Sequence, residues 1–297
     1  MNRRLVKAGD NSGQSRSTSA RFALVLVIGF ASMISPPARA DRLSISADIA
    51  PVYSLVSMVS GDSADIDLLI GANQSPHHAS LKPSQIKALR NADLAIAVSP
   101  TFSPAVSRYF KALPDSATVL YLDEAADGHN DPHTWMNPAT AMRWVSNITD
   151  QLSTLDPDNQ AMYRANRSKA IDRLEALQST LKTRLEPVSD KSFMVYHDAY
   201  NHFAEGFDLQ TPIPIALSDA RAPGAATLAK MRKQVLTVSC VFSEALHDDA
   251  IVDTITEGTN IKRAILDPLG STLPIDDKLY VNLISGLAET IVNCLSE

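Results

Sequence analysis

Three histidines sit where a chain can hold an imidazole in a fixed direction. His133 lies in Asp131-Pro132-His133-Thr134-Trp135-Met136-Asn137-Pro138. The prolines fix backbone φ on both sides and keep a helix from forming at the histidine. His77 lies in the polar loop Ala72 to Leu81, and His197 ends an apolar run at Tyr196-His197-Asp198. A carboxylate, Asp267, follows another apolar run in Leu266-Asp267-Pro268-Leu269-Gly270. A lone loop histidine is ordinarily a solvated residue, but four such groups at the ends of strands can meet around one ion. Three neutral imidazoles and one carboxylate suit tetrahedral Zn²⁺, with Zn–N bonds of about 2.0–2.1 Å. Manganese favours more oxygen donors and a higher coordination number. Protons compete for the imidazole lone pairs, so such a site weakens in acid.

The elements that must place these groups alternate along the chain. Strands are expected at Leu43–Ile49, Asp65–Ile70, Asp93–Val98 and Thr118–Leu122, with helices over Pro51–Val59, Pro83–Asn91 and Thr101–Ala112. After a helical region from Pro138 to Pro187, broken at Asp156-Pro157, the rhythm resumes. Strands are expected at Ser192–Tyr196, Pro212–Leu217, Val238–Ser243 and Ile261–Leu266, and helices at Ala225–Val235, His247–Glu257 and Asp277–Leu295. Strands alternating with helices imply parallel βαβ units. Residues 158–186 hold no glycine or proline, and Ile171, Leu174, Leu177, Leu181 and Leu185 share one face. This spacing predicts a long helix between two lobes. The expected fold is α/β: two lobes, each with a mostly parallel sheet flanked by helices, joined by a long rigid helix. The corresponding parts are residues 41–156, 157–187 and 188–297. In open parallel sheets ligands bind beyond the carboxyl ends of the strands, so His77, His133, His197 and Asp267 can converge if both sheets face one cleft.

Residues 1–40 differ from the rest. Arg3, Arg4, Lys7, Arg16 and Arg21 precede the apolar run Phe22–Ile34, Ser35-Pro36-Pro37 breaks it, and Ala38-Arg39-Ala40 follows. A basic stretch, a short apolar run and a small-x-small site make a secretory signal peptide; a run this short spans a bilayer poorly. Its removal takes the formal charge from −6 to about −11. An acidic mature chain argues against nucleic acid and anionic membranes as partners. Cys240 and Cys294 stand far apart with no C-x-x-C pattern. In an oxidising compartment they can form one disulfide, the alternative being two buried thiols.

These motifs, taken in order, resemble one family. Ser75-Pro76-His77-His78-Ala79-Ser80-Leu81-Lys82-Pro83-Ser84, Asp131-Pro132-His133-Thr134-Trp135, Tyr196-His197-Asp198-Ala199-Tyr200 and Leu266-Asp267-Pro268-Leu269-Gly270 look like the ligand loops of periplasmic zinc-binding proteins of ABC importers. Pro223-Gly224-Ala225 and Val241-Phe242-Ser243-Glu244 also match, so the resemblance covers nearly all of residues 41–297. It implies a zinc ion held by His77, His133, His197 and Asp267 in the interlobe cleft, with water as the alternative to Asp267 at the fourth position, and delivery to a membrane permease; the expected protein is a monomer in the periplasm and no enzyme. It also implies a Cys240–Cys294 disulfide like that of some zinc members. The chain departs from the pattern in its short loop 123–130, where many zinc members carry a long His- and acid-rich segment. The manganese branch usually has a carboxylate at the place of His197, so manganese is the alternative cargo. A zinc hydrolase is a further alternative, because three histidines and a water also make a catalytic site; the chain has no H-E-x-x-H motif. An adhesin with the same fold is another, and no surface anchor favours it. Of the remaining histidines, His78, His129, His202 and His247 are expected off the ligand set, with His247 on the surface at the start of a helix. Glu244 and Trp135 are expected near the cleft.

Overall fold

The computed structural model describes residues 42–114, 116–123, 131–216 and 223–296. The leader 1–40 and His129 therefore lie outside the described residues.

Two all-parallel sheets of four strands carry the architecture. In the first, β1 (Leu43–Ala47), β2 (Ala64–Leu68), β3 (Leu94–Ala97) and β4 (Thr118–Tyr121) lie in the order β2-β1-β3-β4. In the second, β5 (Phe193–His197), β6 (Ile213–Ala216), β7 (Cys240–Glu244) and β8 (Lys262–Leu266) lie in the order β6-β5-β7-β8. The two orders are the same, so each sheet has one point where the winding reverses: β1/β3 in the first lobe and β5/β7 in the second. Carboxyl ends of strands at such a point leave a crevice. The register fixes the β5/β7 crevice, since Val195 pairs with Phe242 and leaves His197 and Glu244 at the two strand ends.

The helices α1 (Ala50–Ser60), α2 (Pro83–Arg90) and α3 (Pro104–Phe110) belong to the first lobe. Each has proline in its first turn, where the missing N–H costs nothing. The helix α4 (Pro138–Leu155) starts the same way, with Asn137 Oδ1 accepting from Ala139 N at 2.9 Å. A 3-10 turn at Pro157–Asn159 breaks the helical region where the proline predicts it, and the Asp156 carboxylate accepts from Asn159 and from the Tyr163 hydroxyl, each at 2.7 Å.

The helix α5 (Gln160–Leu185) spans 26 residues, about 39 Å at 1.5 Å per residue. Its buried stripe, Tyr163, Ala170, Leu174, Leu177, Leu181 and Leu185, packs against α4, α1 and α9 (Leu279–Leu295). One continuous apolar core results, running from Ile45 and Leu55 through Trp135 and Leu174 to Phe193, Phe242 and Leu287. A smaller cluster, with Met194, Met231, Val241 and Val252, lies under α7 (Ala225–Gln234) and α8 (Ala250–Thr256).

A disulfide joins Cys240, at the start of β7, to Cys294, near the end of α9, with their Cα atoms 6.0 Å apart. Closing a loop of this separation, 54 residues, stabilises by about 4 kcal/mol in the chain-entropy view.

The expected helix from His247 begins instead at Ala250. His247 N donates to Glu244 O at 3.1 Å, and the Asp248 carboxylate accepts from Ala250 N at 2.7 Å. The backbone thus turns before the helix can start, and His247 stays in the loop between β7 and α8. A short helix that the strand–helix rhythm does not reveal, α6 (Asn201–Gly206), follows β5.

Candidate metal centre

His77 comes from the loop after β2, His133 from the loop after β4, and His197 from the last residue of β5. Their ring nitrogens nevertheless meet. Nε2 of His133 lies 3.1 Å from Nε2 of His77 and 3.3 Å from Nε2 of His197. Two donors of a tetrahedral zinc at 2.0–2.1 Å stand roughly 3.3 Å apart, so the spacing fits one ion. The fit has a chemical reason. Three converging imidazole nitrogens cannot all be satisfied by protons shared among themselves, whereas a cation accepts all three lone pairs.

Behind two of the imidazoles stands a carboxylate. Asp131 Oδ1 accepts from His133 Nδ1 at 2.6 Å and from His133 N at 3.0 Å. Glu244 Oε1 lies 2.7 Å from His197 Nδ1. A carboxylate on Nδ1 fixes the proton there and leaves Nε2 as the bare donor, which is how such pairs orient ligands and raise their basicity. Burial weighs most heavily against the Asp131 charge, yet the hydrogen bond and charge of His133 outweigh it in sum and hold this carboxyl below its usual range. The second lobe braces the first here. His202 Nε2 donates to Asp131 O at 3.0 Å, and Asn201 Nδ2 donates to Asp131 Oδ2 at 3.3 Å. His202, expected off the ligand set from its spacing, has its Nε2 on the His133 loop. His78 is exposed.

Aromatic side chains close the inner side. Phe102 meets His77 and His133 edge-on, and Trp135 lies 5.3 Å from His133, centroid to centroid. Trp135 is itself fixed, its Nε1 donating to Pro268 O at 3.0 Å and its carbonyl accepting from Tyr280 Oη at 2.7 Å. The space left between these walls is 30 Å³, room for one or two water molecules.

Asp267 does a different job from the one expected of it. Its Oδ1 accepts from Leu269 N and Gly270 N, and its Oδ2 accepts from Ser271 N and Ser271 Oγ. A carboxylate has about four lone-pair sites, and these four donors take them while Gly270 closes the turn at φ +69°. Asp267 lies outside the group of mutually close ring nitrogens formed by His77, His133 and His197.

Residues 45–294 match the profile of ZnuA, described as the periplasmic component A of the zinc-uptake complex. The chain belongs to the ZnuA family. It is 32% identical to the high-affinity zinc uptake system protein ZnuA of Paracoccus denitrificans over 92% of this chain and 97% of that one. It is 28% identical to the ZnuA of Yersinia pestis over 91% and 96% of the two chains. Among solved structures, a ZnuA crystal structure superposes with a TM-score of 0.75 at 25% identity, covering 86% of this chain and all of that one. The solute-binding protein FpvC of Pseudomonas aeruginosa in complex with Mn²⁺ superposes with a TM-score of 0.76 at 25% identity, covering 86% and 98%. Proteins of this shape thus hold more than one metal, and the donor atoms rather than the ZnuA fold must decide which.

Proposed function

We propose that this ZnuA-family chain captures Zn²⁺ in the periplasm, after removal of residues 1–40, and delivers it as a monomer to the membrane permease of an ABC importer. The observation that carries this reading is the triangle of ring nitrogens from His77, His133 and His197, two of them backed by the carboxylates of Asp131 and Glu244. Nitrogen donors with no carboxylate among the three favour zinc over manganese. His77, His133 and His197 supply three ligands, water completes the shell, and Asp267 holds the 267–271 turn against the site. The small space between the walls suits an ion better than an ester or peptide group, which supports capture over hydrolysis. Among the described residues no helix is long and apolar enough to cross a membrane, which suits a carrier that meets its permease at the surface.

Titration of Zn²⁺ and of Mn²⁺ against a competing chromophoric chelator tests the reading. Zinc binds at one tight equivalent and manganese far more weakly. His133→Ala lowers zinc affinity by well over tenfold with the fold intact, and His129→Ala changes it little. Equal losses from both variants would place the site elsewhere.

A further inference from the structure

Beside the three-histidine triangle lies a second group of metal-ligating atoms. His197, Glu244 and His247 each offer a ligand atom within 4.8 Å of the other two. Glu244 faces both ways. Its Oε1 meets His197 Nδ1 at 2.7 Å, and its Oε2 points to His247 Nε2 at 3.7 Å. The second distance is too long for a hydrogen bond but near the roughly 3.3 Å between two donors of one tetrahedral zinc. The His247 ring is held in plane by Tyr196, stacked at 4.4 Å with the planes 20° apart. Its side chain keeps 16% of its surface exposed against 5% for His133 and His197. Glu244 is as buried as His197, so His247 is the more solvent-exposed member of the pair, and both line the same cavity.

We propose that Glu244 and His247 form a second, weaker zinc position at the mouth of the pocket; this rests on the three histidines being the tight zinc site. With the inner ion on His197 Nε2, the Nδ1 proton stays on His197 and donates to Glu244 Oε1. Glu244 Oε2 and His247 Nε2 then hold the outer ion, with water filling its remaining positions. Two protein ligands instead of three, and repulsion from the inner dication, make this position the weaker one.

The test is a titration of the full mature chain with Zn²⁺ beyond the first equivalent, read by calorimetry, with Co²⁺ absorption as a parallel readout of ligand type. A second, weaker equivalent is expected. His247→Ala weakens it by at least tenfold, and His247→Cys, which supplies another zinc ligand, restores it. No second equivalent in the unsubstituted chain, or one that His247→Ala leaves unchanged, overturns the proposal. Failure of the tight-site reading shows separately, as a first equivalent that His133→Ala leaves at full affinity.

Discussion

His133 shows how a single residue is prepared to act as a ligand. Prolines keep it out of helix, its own loop supplies the Asp131 carboxylate 2.6 Å from Nδ1, and Nε2 is left facing two other imidazoles. A metal must displace protons from such nitrogens, and an unperturbed imidazole takes up a proton near pH 6.5. Zinc affinity therefore rises with pH through this range. A competition titration should give markedly weaker binding at pH 5 than at pH 7.5, and equal affinity at both would contradict histidine ligation. That His77, His133 and His197 could meet was legible in the sequence, because each stands in a short, distinctive stretch at the end of an expected strand or in the loop after one. The Glu244–His197 pair was not, since 47 positions separate the partners and only the β5/β7 register brings them together. Asp267 reads in the sequence as a fourth ligand and not as the centre of a turn, because the donors of Leu269, Gly270 and Ser271 reach its carboxylate only when the chain is folded. His247 differs from expectation through one helix boundary: α8 starts three residues later than the pattern predicts, at Ala250, whose N–H goes to the Asp248 carboxylate, and His247 lies in the loop with Nε2 3.7 Å from Glu244 Oε2.

At the level of elements, the strand ends carry the site, and one of them carries a cost. Asp48 follows β1 and is fully buried, its two oxygens accepting from Ile49 N at 2.8 Å and Val98 N at 2.9 Å. It ties β1 to β3 at the first lobe's winding reversal. Burial pushes its carboxyl up to about 7, against the lowering effect of those N–H groups. An acid raised on folding binds more protons folded than unfolded, so its contribution to stability falls as pH climbs from about 4 through 7. For a rise of this size the loss is on the order of 4 kcal/mol. Asp48→Asn cannot titrate, and its amide sets an N–H against one of the two backbone donors. Urea unfolding of the zinc-free proteins should therefore show the native chain well ahead of the variant at pH 4.5, with the gap narrowing by pH 8. A gap that does not change with pH would show that Asp48 ionises as freely in the folded chain as in the unfolded one. The alternation of strands and helices, and the helix break at Asp156-Pro157, came directly from proline placement and apolar period. Strand order did not, because nothing local in β3 says that it pairs with β1 rather than β2.

The whole molecule is built to hold the two halves of the site at a fixed separation. The apolar core is continuous from the first sheet through α5 to the second, and α5 lies along α4, α1 and α9 rather than crossing open solvent. Lobes hinge freely where the interface between them is small and polar; here one apolar cluster includes residues of both sheets. Scattering profiles of the zinc-free and zinc-loaded mature chain should superpose, with a change in radius of gyration well below 1 Å, while a clear contraction on loading would mean that the lobes close around the ion. The most direct test of the account is a crystal structure of the mature chain with one equivalent of zinc, phased at the zinc absorption edge. The strongest anomalous peak should lie about 2.0–2.1 Å from the Nε2 atoms of His77, His133 and His197. A peak bound elsewhere, with those three imidazoles turned away from it, would contradict it.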